Sequence, residues 1–327
     1  MNSREGMSSK GMSSKEVKDT KKWDVFIFGD ANIDIVIPGV EKFPLPGQED
    51  EVDIMDTYVG GGSALFALGV GKLGLSPVFQ GVLGKDCYGE FIREEFRQKN
   101  VDYSLSKISD KNKTGISLSF TNEKDRSFLT YRGTNAELDL EEIQLDQVKE
   151  AGHIHITSYS GRKNHPQHME LLRKIKEQKD VTVSLDVGWD DTGEWFPGIY
   201  DLFPYIDVLF MNEAEAVNYA RKADVMEAVA DFSKHCRLAV AKLGKRGSVA
   251  MTGGKIYQGR PYSVKAVDTT GAGDAFNSGF IYGYIKGRDI NECLQYGNGC
   301  GALSVTAYGG NTAFPTEKEL LEFIKEN

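Results

Sequence analysis

Val267-Asp-Thr-Thr-Gly-Ala-Gly-Asp-Ala-Phe276 is the stretch on which the reading of this chain turns. Gly271, Ala272 and Gly273 make a turn of small residues, and the run after it reads as a helix from Ala275 to about Ile285. Small residues let backbone N–H groups converge on one point, and a helix start adds partial positive charge there. Together they form a site for an anion, including the oxyanions of a transferring phosphoryl group. Asp274 stands where the helix begins. As a second anion it would repel the first, so its useful role is to accept a proton from a hydroxyl attacking phosphorus. A helix cap is the plainer alternative; the glycine turn in front of Asp274 favours the base.

The 327 residues suit one large α/β domain with an appendage, or two modest domains. Hydrophobic residues make up 40% of the chain, enough for a substantial core. A net charge of −9 and the lack of a lysine–arginine stripe argue against nucleic-acid binding. The cysteines, Cys87, Cys236, Cys293 and Cys300, include no CxxC pair, and the histidines no HExxH arrangement. That argues against structural zinc and for reduced, mostly buried thiols. Residues 1–22 are polar and nearly repeat Gly6-Met-Ser-Ser-Lys10 as Gly11-Met-Ser-Ser-Lys15, which predicts a disordered tail and not a signal peptide. No segment approaches the ~20 apolar residues of a membrane span. The expectation is a cytoplasmic protein without membrane or nucleic-acid partners.

The fold is predicted to begin at Trp23. Val25 to Phe28 reads as a buried strand running into Gly29-Asp30. Glu51 to Tyr58 alternates like a half-exposed strand, and Gly60-Gly61-Gly62 then precedes a helix from Ser63 to about Leu73. Gly115 to Phe120 and Ser127 to Tyr131 read as a hairpin around the polar segment Thr121–Arg126. Beyond Ala136, compact apolar runs at His153–Thr157, Thr182–Asp186, Val208–Met211 and Leu238–Leu243 alternate with helical stretches such as Gln167–Gln178 and Ala214–Arg221. Such alternation predicts βαβ units and a parallel sheet covered on both faces. The early strands break this rhythm, so a small antiparallel sheet is expected to stand off the core as a lid.

Asp268, Thr270, Gly271, Ala272, Gly273, Asp274, Ser278 and Gly279 all match the carboxy-terminal signature of the ribokinase, or phosphofructokinase-B (PfkB), family of carbohydrate kinases. The resemblance extends from about Asp24 to Phe314. It implies a ribokinase-like, doubly wound, mostly parallel sheet flanked by helices across residues 23–327, with a β lid at about 36–59 and 111–133. It also implies phosphorylation of a sugar hydroxyl by ATP with Mg2+. Asp274 is then the base, and the Gly271–Gly273 turn, through the Ala272 and Gly273 amides, holds the developing charge. Gly29-Asp-Ala-Asn-Ile-Asp34 resembles the family's first loop, which places Asn32 and Asp34 on substrate hydroxyls; local turn bonding is the alternative. Gly60-Gly61-Gly62 resembles the glycine pair at the sugar, giving Gly61, Gly62 and Ser63, with Arg132 at the lid's edge. Gly84-Lys-Asp-Cys-Tyr-Gly89 matches a GxDxxG segment read as structural.

Asn212-Glu-Ala-Glu215 resembles the NxxE motif, which implies that Glu215 holds Mg2+ through water with Asn212 near the phosphates; a helix cap at Asn212 is the alternative. Lys242-Leu-Gly-Lys-Arg-Gly247 resembles the segment beneath the nucleotide, assigning Lys242, Gly244 and Gly247 to ATP together with Thr270, and Asn298 beside the adenine. Asp268, Thr270, Ala307 and Gly309 resemble a monovalent-cation site, hence K+. Lids in this family pair between subunits, which implies a homodimer.

One residue departs from the pattern. Four positions after the glycine pair the family has Asn, and here Phe66 stands. It reads either as core or as a reshaped, less polar substrate pocket. Gly69-Val-Gly-Lys-Leu-Gly74 fits GxGxxG but lies at the end of a helix, so it reads as a helix terminus and not a dinucleotide fingerprint. Fructose ranks first as substrate, then ribose and 2-keto-3-deoxygluconate. A nucleoside such as pseudouridine is the runner-up, since Phe66 could meet a base. A non-catalytic sugar-binding regulator is the alternative from another class.

Overall fold

The computed structural model describes residues 21–121, 126–159, 161–178 and 180–327. All but the last two residues of the expected tail, and the centre of the hairpin loop, lie outside these. The strands are β1 Trp23–Phe28, β2 Asn32–Pro38, β3 Asp56–Gly60, β4 Pro77–Gln80, β5 Val82–Gly84, β6 Lys107–Ser109 and β7 Gly115–Thr121. Then come β8 Arg126–Tyr131, β9 Ala151–Thr157, β10 Thr182–Asp186, β11 Val208–Asn212, β12 Ala239–Lys242, β13 Ser248–Thr252 and β14 Lys255–Gly259. The helices are α1 Gly62–Lys72, α2 Cys87–Gln98, α3 Leu145–Val148, α4 His165–Lys176, α5 Ile199–Leu202, α6 Glu213–Ala220, α7 Val225–Phe232, α8 Ala272–Ile285, α9 Ile290–Ser304 and α10 Glu317–Glu326.

The main sheet has eight strands in the order β14-β13-β12-β11-β10-β9-β1-β4. It is parallel from β12 to β4 and antiparallel across β12, β13 and β14. Successive residues point to opposite faces, so Val25 and Ile27 join one apolar cluster while Phe26 and Phe28 join the other. The first cluster includes Leu65, Phe276 and Phe280 of α1 and α8; the second includes Leu171 of α4 and Val229 of α7. Both faces are therefore covered, as the strand–helix alternation predicted. The chain leaves β1 for β4 on one side and later sets β9 on the other. Strand order thus reverses between β1 and β9, and the crevice beyond their carboxyl ends is where such sheets bind ligands.

The second sheet has the order β3-β2-β7-β8. Its central pair, β2 with β7, is parallel, and only the outer pairs are antiparallel. The expected antiparallel sheet is therefore mixed, since β2 and β7 run side by side in one direction and each is flanked by an antiparallel neighbour. The strand expected from Glu51 is confined to Asp56–Gly60, and residues 51–55 are exposed irregular chain. β5 and β6 form a separate parallel pair.

The GxGxxG decoy lies in α1 and just beyond it. A Cβ added to Gly69 would lie 2.4 Å from Ser278 Oγ of α8, so the glycine serves close helix packing. Gly74, at φ 92°, follows the C-terminal cap, as read from the sequence. All four cysteines are free. Among the described residues no helix is long and apolar enough to cross a membrane.

Asp86 bears out the structural reading of the GxDxxG segment. Its carboxylate caps α2 through Gly89 N (2.8 Å) and accepts Thr114 N (2.8 Å) and Thr114 Oγ1 (2.6 Å), tying the helix to the residue before β7. Thr114 is buried, so losing the carboxylate strands its polar groups. Asp86→Ala is expected to destabilise the fold by about 2–4 kcal/mol, measured as a lowered urea midpoint at unchanged slope.

Candidate active site

A cavity of about 850 Å³ opens at the carboxyl edge of the main sheet, with Gly62, Asp186, Glu215, Lys242, Asp274 and Asn298 in its walls. α8 supplies the glycine turn. It begins at Ala272, three residues earlier than expected, so Asp274 lies in the first turn and no side chain caps the helix. Gly271 is the N-cap residue at φ 72°, a left-handed conformation that favours glycine. A Cβ there would also lie 2.8 Å from Gly310 O. The capping alternative for Asp274 therefore falls. Its carboxylate instead faces the start of α1, where a Cβ on Gly62 would lie 3.2 Å from Oδ1. Burial pushes the Asp274 pKa well above the usual carboxylate range; Asp186 pushes the same way, Lys242 opposes, and Asp30 and Asp34 add to the rise.

The glycine triplet works residue by residue. A Cβ on Gly60 would meet the Asp34 carboxylate at 2.2 Å, and one on Gly61 would lie 2.9 Å from Asp30 O and 3.0 Å from Asn32 Oδ1. Asn32 Nδ2 donates to Asp34 Oδ1 at 2.8 Å. Burial lifts Asp34 to about 6, the Asn32 bond working against it. The local-bonding alternative for Asn32 and Asp34 is thus realised, and it holds both groups at the start of the lid. Ser63 differs from expectation: it is fully buried, its hydroxyl is paired with Thr157 Oγ1, and its N–H donates to Asp30 Oδ1 at 3.1 Å. Asp30, which the sequence reading passed over, thereby bonds the first turn of α1. Arg132 also differs, being exposed and outside the cavity wall.

Lys242 carries a partner that the sequence reading missed. Its Nζ lies 2.5 Å from Asp186 Oδ2, at the end of β10, and 3.4 Å from Asn277 Oδ1 of α8. Asn277 Nδ2 in turn donates to Asp186. Burial acts to raise Asp186, yet Lys242 and Asn277 hold it below the usual carboxylate range. Burial acts to lower Lys242, yet Asp186 and Glu215 keep it raised. An aspartate closing a buried parallel strand at the ligand edge was the available signal.

Asn212 and Glu215 form a capping box on α6: Asn212 Oδ1 accepts from Glu215 N (2.8 Å) and Glu215 Oε2 from Asn212 N (2.7 Å). The alternative given for Asn212 is therefore real, but both residues also line the cavity. Glu215 rises to about 7 through burial, with Asp186 next. Three carboxylates, Asp186, Glu215 and Asp274, thus gather around one ammonium, a donor set of hard oxygens that suits a hydrated divalent cation. Among the described residues no group of three or more His, Cys, Asp or Glu could by itself hold a metal ion.

Gly244 and Gly247 line the cavity, and a Cβ on Gly247 would strike Gly259 O at 2.1 Å. Asn298 also lines it, with Nδ2 donating to Ser248 Oγ at 2.8 Å. Thr270 does not; Thr269 does. Thr270 turns to Asp268, whose Oδ1 accepts its N–H (2.9 Å) and hydroxyl (2.8 Å), while Asp268 Oδ2 accepts Gly309 N at 3.1 Å. Val305 O receives the Val267 and Asp268 N–H groups, which carries the segment with Ala307 and Gly309 over Asp268. Phe66 is wholly buried, its ring stacked on His155 at 3.8 Å between centroids. The reshaped-pocket reading of Phe66 is overturned, since an apolar ring on a helix face turned to the sheet is drawn into the core.

Comparison with known proteins agrees with this architecture. The model of the pfkB family of carbohydrate kinases matches residues 22–317. A 5-dehydro-2-deoxygluconokinase of Clostridium botulinum is 30% identical over 289 residues, covering 82% of this chain and 84% of that protein. The structure of Arabidopsis thaliana ribokinase complexed with ribose and ATP is 26% identical with a TM-score of 0.81, covering 93% of this chain and 99% of that one. An Escherichia coli protein solved with ATP and Mg2+ shares the fold at 23% identity and a TM-score of 0.81, covering 93% of this chain and 100% of that one.

The raised pKa of Glu215 sets a pH test. Between its ordinary value of 4.5 and about 7 the folded protein holds a proton that the unfolded chain has released, so this group's contribution falls as pH rises through that window. Glu215→Gln keeps an oxygen for the Asn212 N–H but carries no charge. Relative to the parent, the variant is expected to gain roughly 2–3 kcal/mol between pH 4.5 and 7.5, read from denaturation midpoints at both pH values without Mg2+. A constant difference across that range would count against the assignment.

Proposed function

The chain belongs to the pfkB family of carbohydrate kinases, and from that premise we propose that Asp274 is the base that takes the acceptor's proton. The carrying observation is the Asp274 carboxylate, raised by burial and set in the first turn of α8 against Gly62. The acceptor hydroxyl gives its proton to Asp274 while its oxygen bonds to the γ-phosphorus of ATP, and the bond to the ADP oxygen breaks. A raised pKa makes the carboxylate a better proton acceptor as that bond forms. The amides of Ala272 and Gly273, beyond Gly271, stabilise charge on the phosphoryl oxygens.

Lys242 balances charge at the phosphates, while Gly244 and Gly247 keep the nucleotide loop thin beside Asn298. Mg2+ would be held through water by Glu215 near Asn212, and when bound it supplies charge neutralisation on the phosphate chain. Asp268, Thr270, Ala307 and Gly309 form the K+ site in this reading, supported by the convergence of their loops on one buried carboxylate.

Asn32, Asp34 and the Gly61-Gly62 backbone position the acceptor. Asp30 acts electrostatically on Asp34, and Asp30 and Asp34 both act on Asp274. Such a carboxylate group accepts bonds from hydroxyls and repels a substrate carboxylate, which favours a neutral ketohexose such as fructose, then ribose, over the sugar acids. The relative named for 5-dehydro-2-deoxygluconate keeps that class in the test. The buried Phe66 removes the support for a nucleoside.

A homodimer through the lid is the assembly we infer, from the exposed Leu129 and Tyr131 on β8 and the exposed Phe43, Leu45 and Met55 in the loop between β2 and β3. Sedimentation is expected to give twice the 36.2 kDa of one chain, and monomer at micromolar concentration would refute it.

The deciding experiment measures ADP release from Mg-ATP with fructose, ribose, 2-keto-3-deoxygluconate, 5-dehydro-2-deoxygluconate and pseudouridine, in potassium and in sodium buffer. Fructose is expected to give the highest kcat/KM, with potassium the better ion. Asp274→Asn should lower kcat by about 10²–10⁴-fold. Near-parent turnover by that variant would refute the base, and equal rates in the two buffers the K+ site.

A further inference from the structure

Five described non-glycine residues adopt positive φ: Asn100, Ser158, Asp180, Trp195 and Arg221. Asn and Asp tolerate this conformation, and Arg221 is a helix C-cap. Ser158, at φ 66°, has neither excuse, and of the five it alone lines the large cavity.

The turn is held on both sides. Ser158 N donates to Asp186 O at 2.9 Å, and Tyr159 N to Val187 O at 2.8 Å. Tyr159 is fully buried, bonded to His165 Nδ1 at 2.8 Å and packed on His168, so the chain cannot relax outward. Across the wall, a Cβ on Gly188 would lie 3.1 Å from Ser158 Oγ, so the missing side chain at 188 leaves room for that hydroxyl. Thr157, the residue before, packs against Gly62 opposite Asp274. Ser158 is exposed, and its hydroxyl makes no hydrogen bond to a described side chain or backbone group. A strained backbone locked by its surroundings and presenting a free donor to a cavity points to function.

We propose that Ser158 is a further catalytic residue, whose hydroxyl donates a hydrogen bond to a non-bridging oxygen of the phosphoryl group in flight. The neighbouring carboxylates of Asp186 and Glu215 can only accept when ionised, whereas phosphoryl oxygens require donors. A serine in the wall of the same cavity as the base supplies one, without adding charge to a site already crowded with it. The inference rests on the kinase reading with Asp274 as base.

Ser158→Gly and Ser158→Ala, assayed beside Asp274→Asn with the acceptor of highest turnover, test it. Glycine suits the left-handed backbone, so Ser158→Gly should melt at or above the parent temperature while kcat falls by about 10²-fold. KM for ATP and for the acceptor should change by less than about threefold. Ser158→Ala should show the same loss in kcat without the gain in melting temperature. Parent-like kcat in Ser158→Gly, or a loss confined to the KM of the acceptor, would overturn the proposal. An inactive Asp274→Asn beside a fully active Ser158→Gly would sink this inference and leave the base in place; an active Asp274→Asn would sink the base and this inference with it.

Discussion

The Lys242–Asp186 ion pair is the interaction on which the site depends. It joins the ends of β10 and β12 across the intervening β11, and Asn277 binds α8 to the same point. Both charged groups are largely withdrawn from water, and a buried pair holds only when its geometry and added hydrogen bonds offset desolvation. Here the Asn277 amide supplies one of those bonds. Removing either partner would leave a buried charge and also release α8, whose first turn carries Asp274. Strand ends and helix start are thus fixed by one contact.

That contact also explains the charge balance. A glycine turn, a helix start and Lys242 all favour an anion, yet Asp186, Glu215 and Asp274 disfavour one. Burial alone accounts for much of the upward push on Glu215 and Asp274, with Asp186 as the next contributor to both. A site with both characters suits an anion that arrives with its own cation, and it leaves Glu215 and Asp274 both more basic than ordinary carboxylates. α1 and α8 both begin at glycine without a side-chain cap, and their starts face each other across Gly62. Asp30 replaces a cap on α1 by accepting from Ser63 N. On α8 the Gly273 and Asp274 N–H groups stay available to a ligand, while Ala272 N–H donates to Thr269 O at 3.4 Å, and the helix forgoes the stability that a serine or aspartate cap would have added.

Legibility in the sequence followed the range of the physics. Periodicity and glycine placement reported the doubly wound sheet, α1, the turn before Asp274 and the strands of the parallel half other than β4, because those depend on neighbours in the chain. They did not report that β2 and β7 run parallel, since pairing direction is set by where each strand leaves the core. Asp30, Asp186 and Asn277 stayed hidden for the same reason: each acquires its role from a partner at least 33 residues away. Ser63, Thr270 and Phe66 show the converse. Their positions beside a motif were read correctly, but the side-chain direction of Ser63 and Thr270 was not and that of Phe66 was left open between core and pocket; Thr157, Asp268 and His155 decide it.

The lid and the acceptor end share one strand, which has a mechanical consequence. Asn32 and Asp34 lie at the root of β2, in register with Gly60 and Tyr58 of β3 on one side and Gly115 and Ser117 of β7 on the other. β3 then runs straight into Gly61 and Gly62, and Asp86 pins Thr114, just before β7, to α2. Any rocking of the lid about this root must carry Asp34 with it relative to Asp274 on α8. In the proposed reading, an acceptor that bonds Asp34 therefore biases the lid, and a lid that closes sets the acceptor hydroxyl against Asp274. Water, which fills the same space without spanning from Asp34 to Asp274, has no equivalent hold on the lid, so in the proposed reading discrimination between sugar and water falls to the strand that carries Asp34.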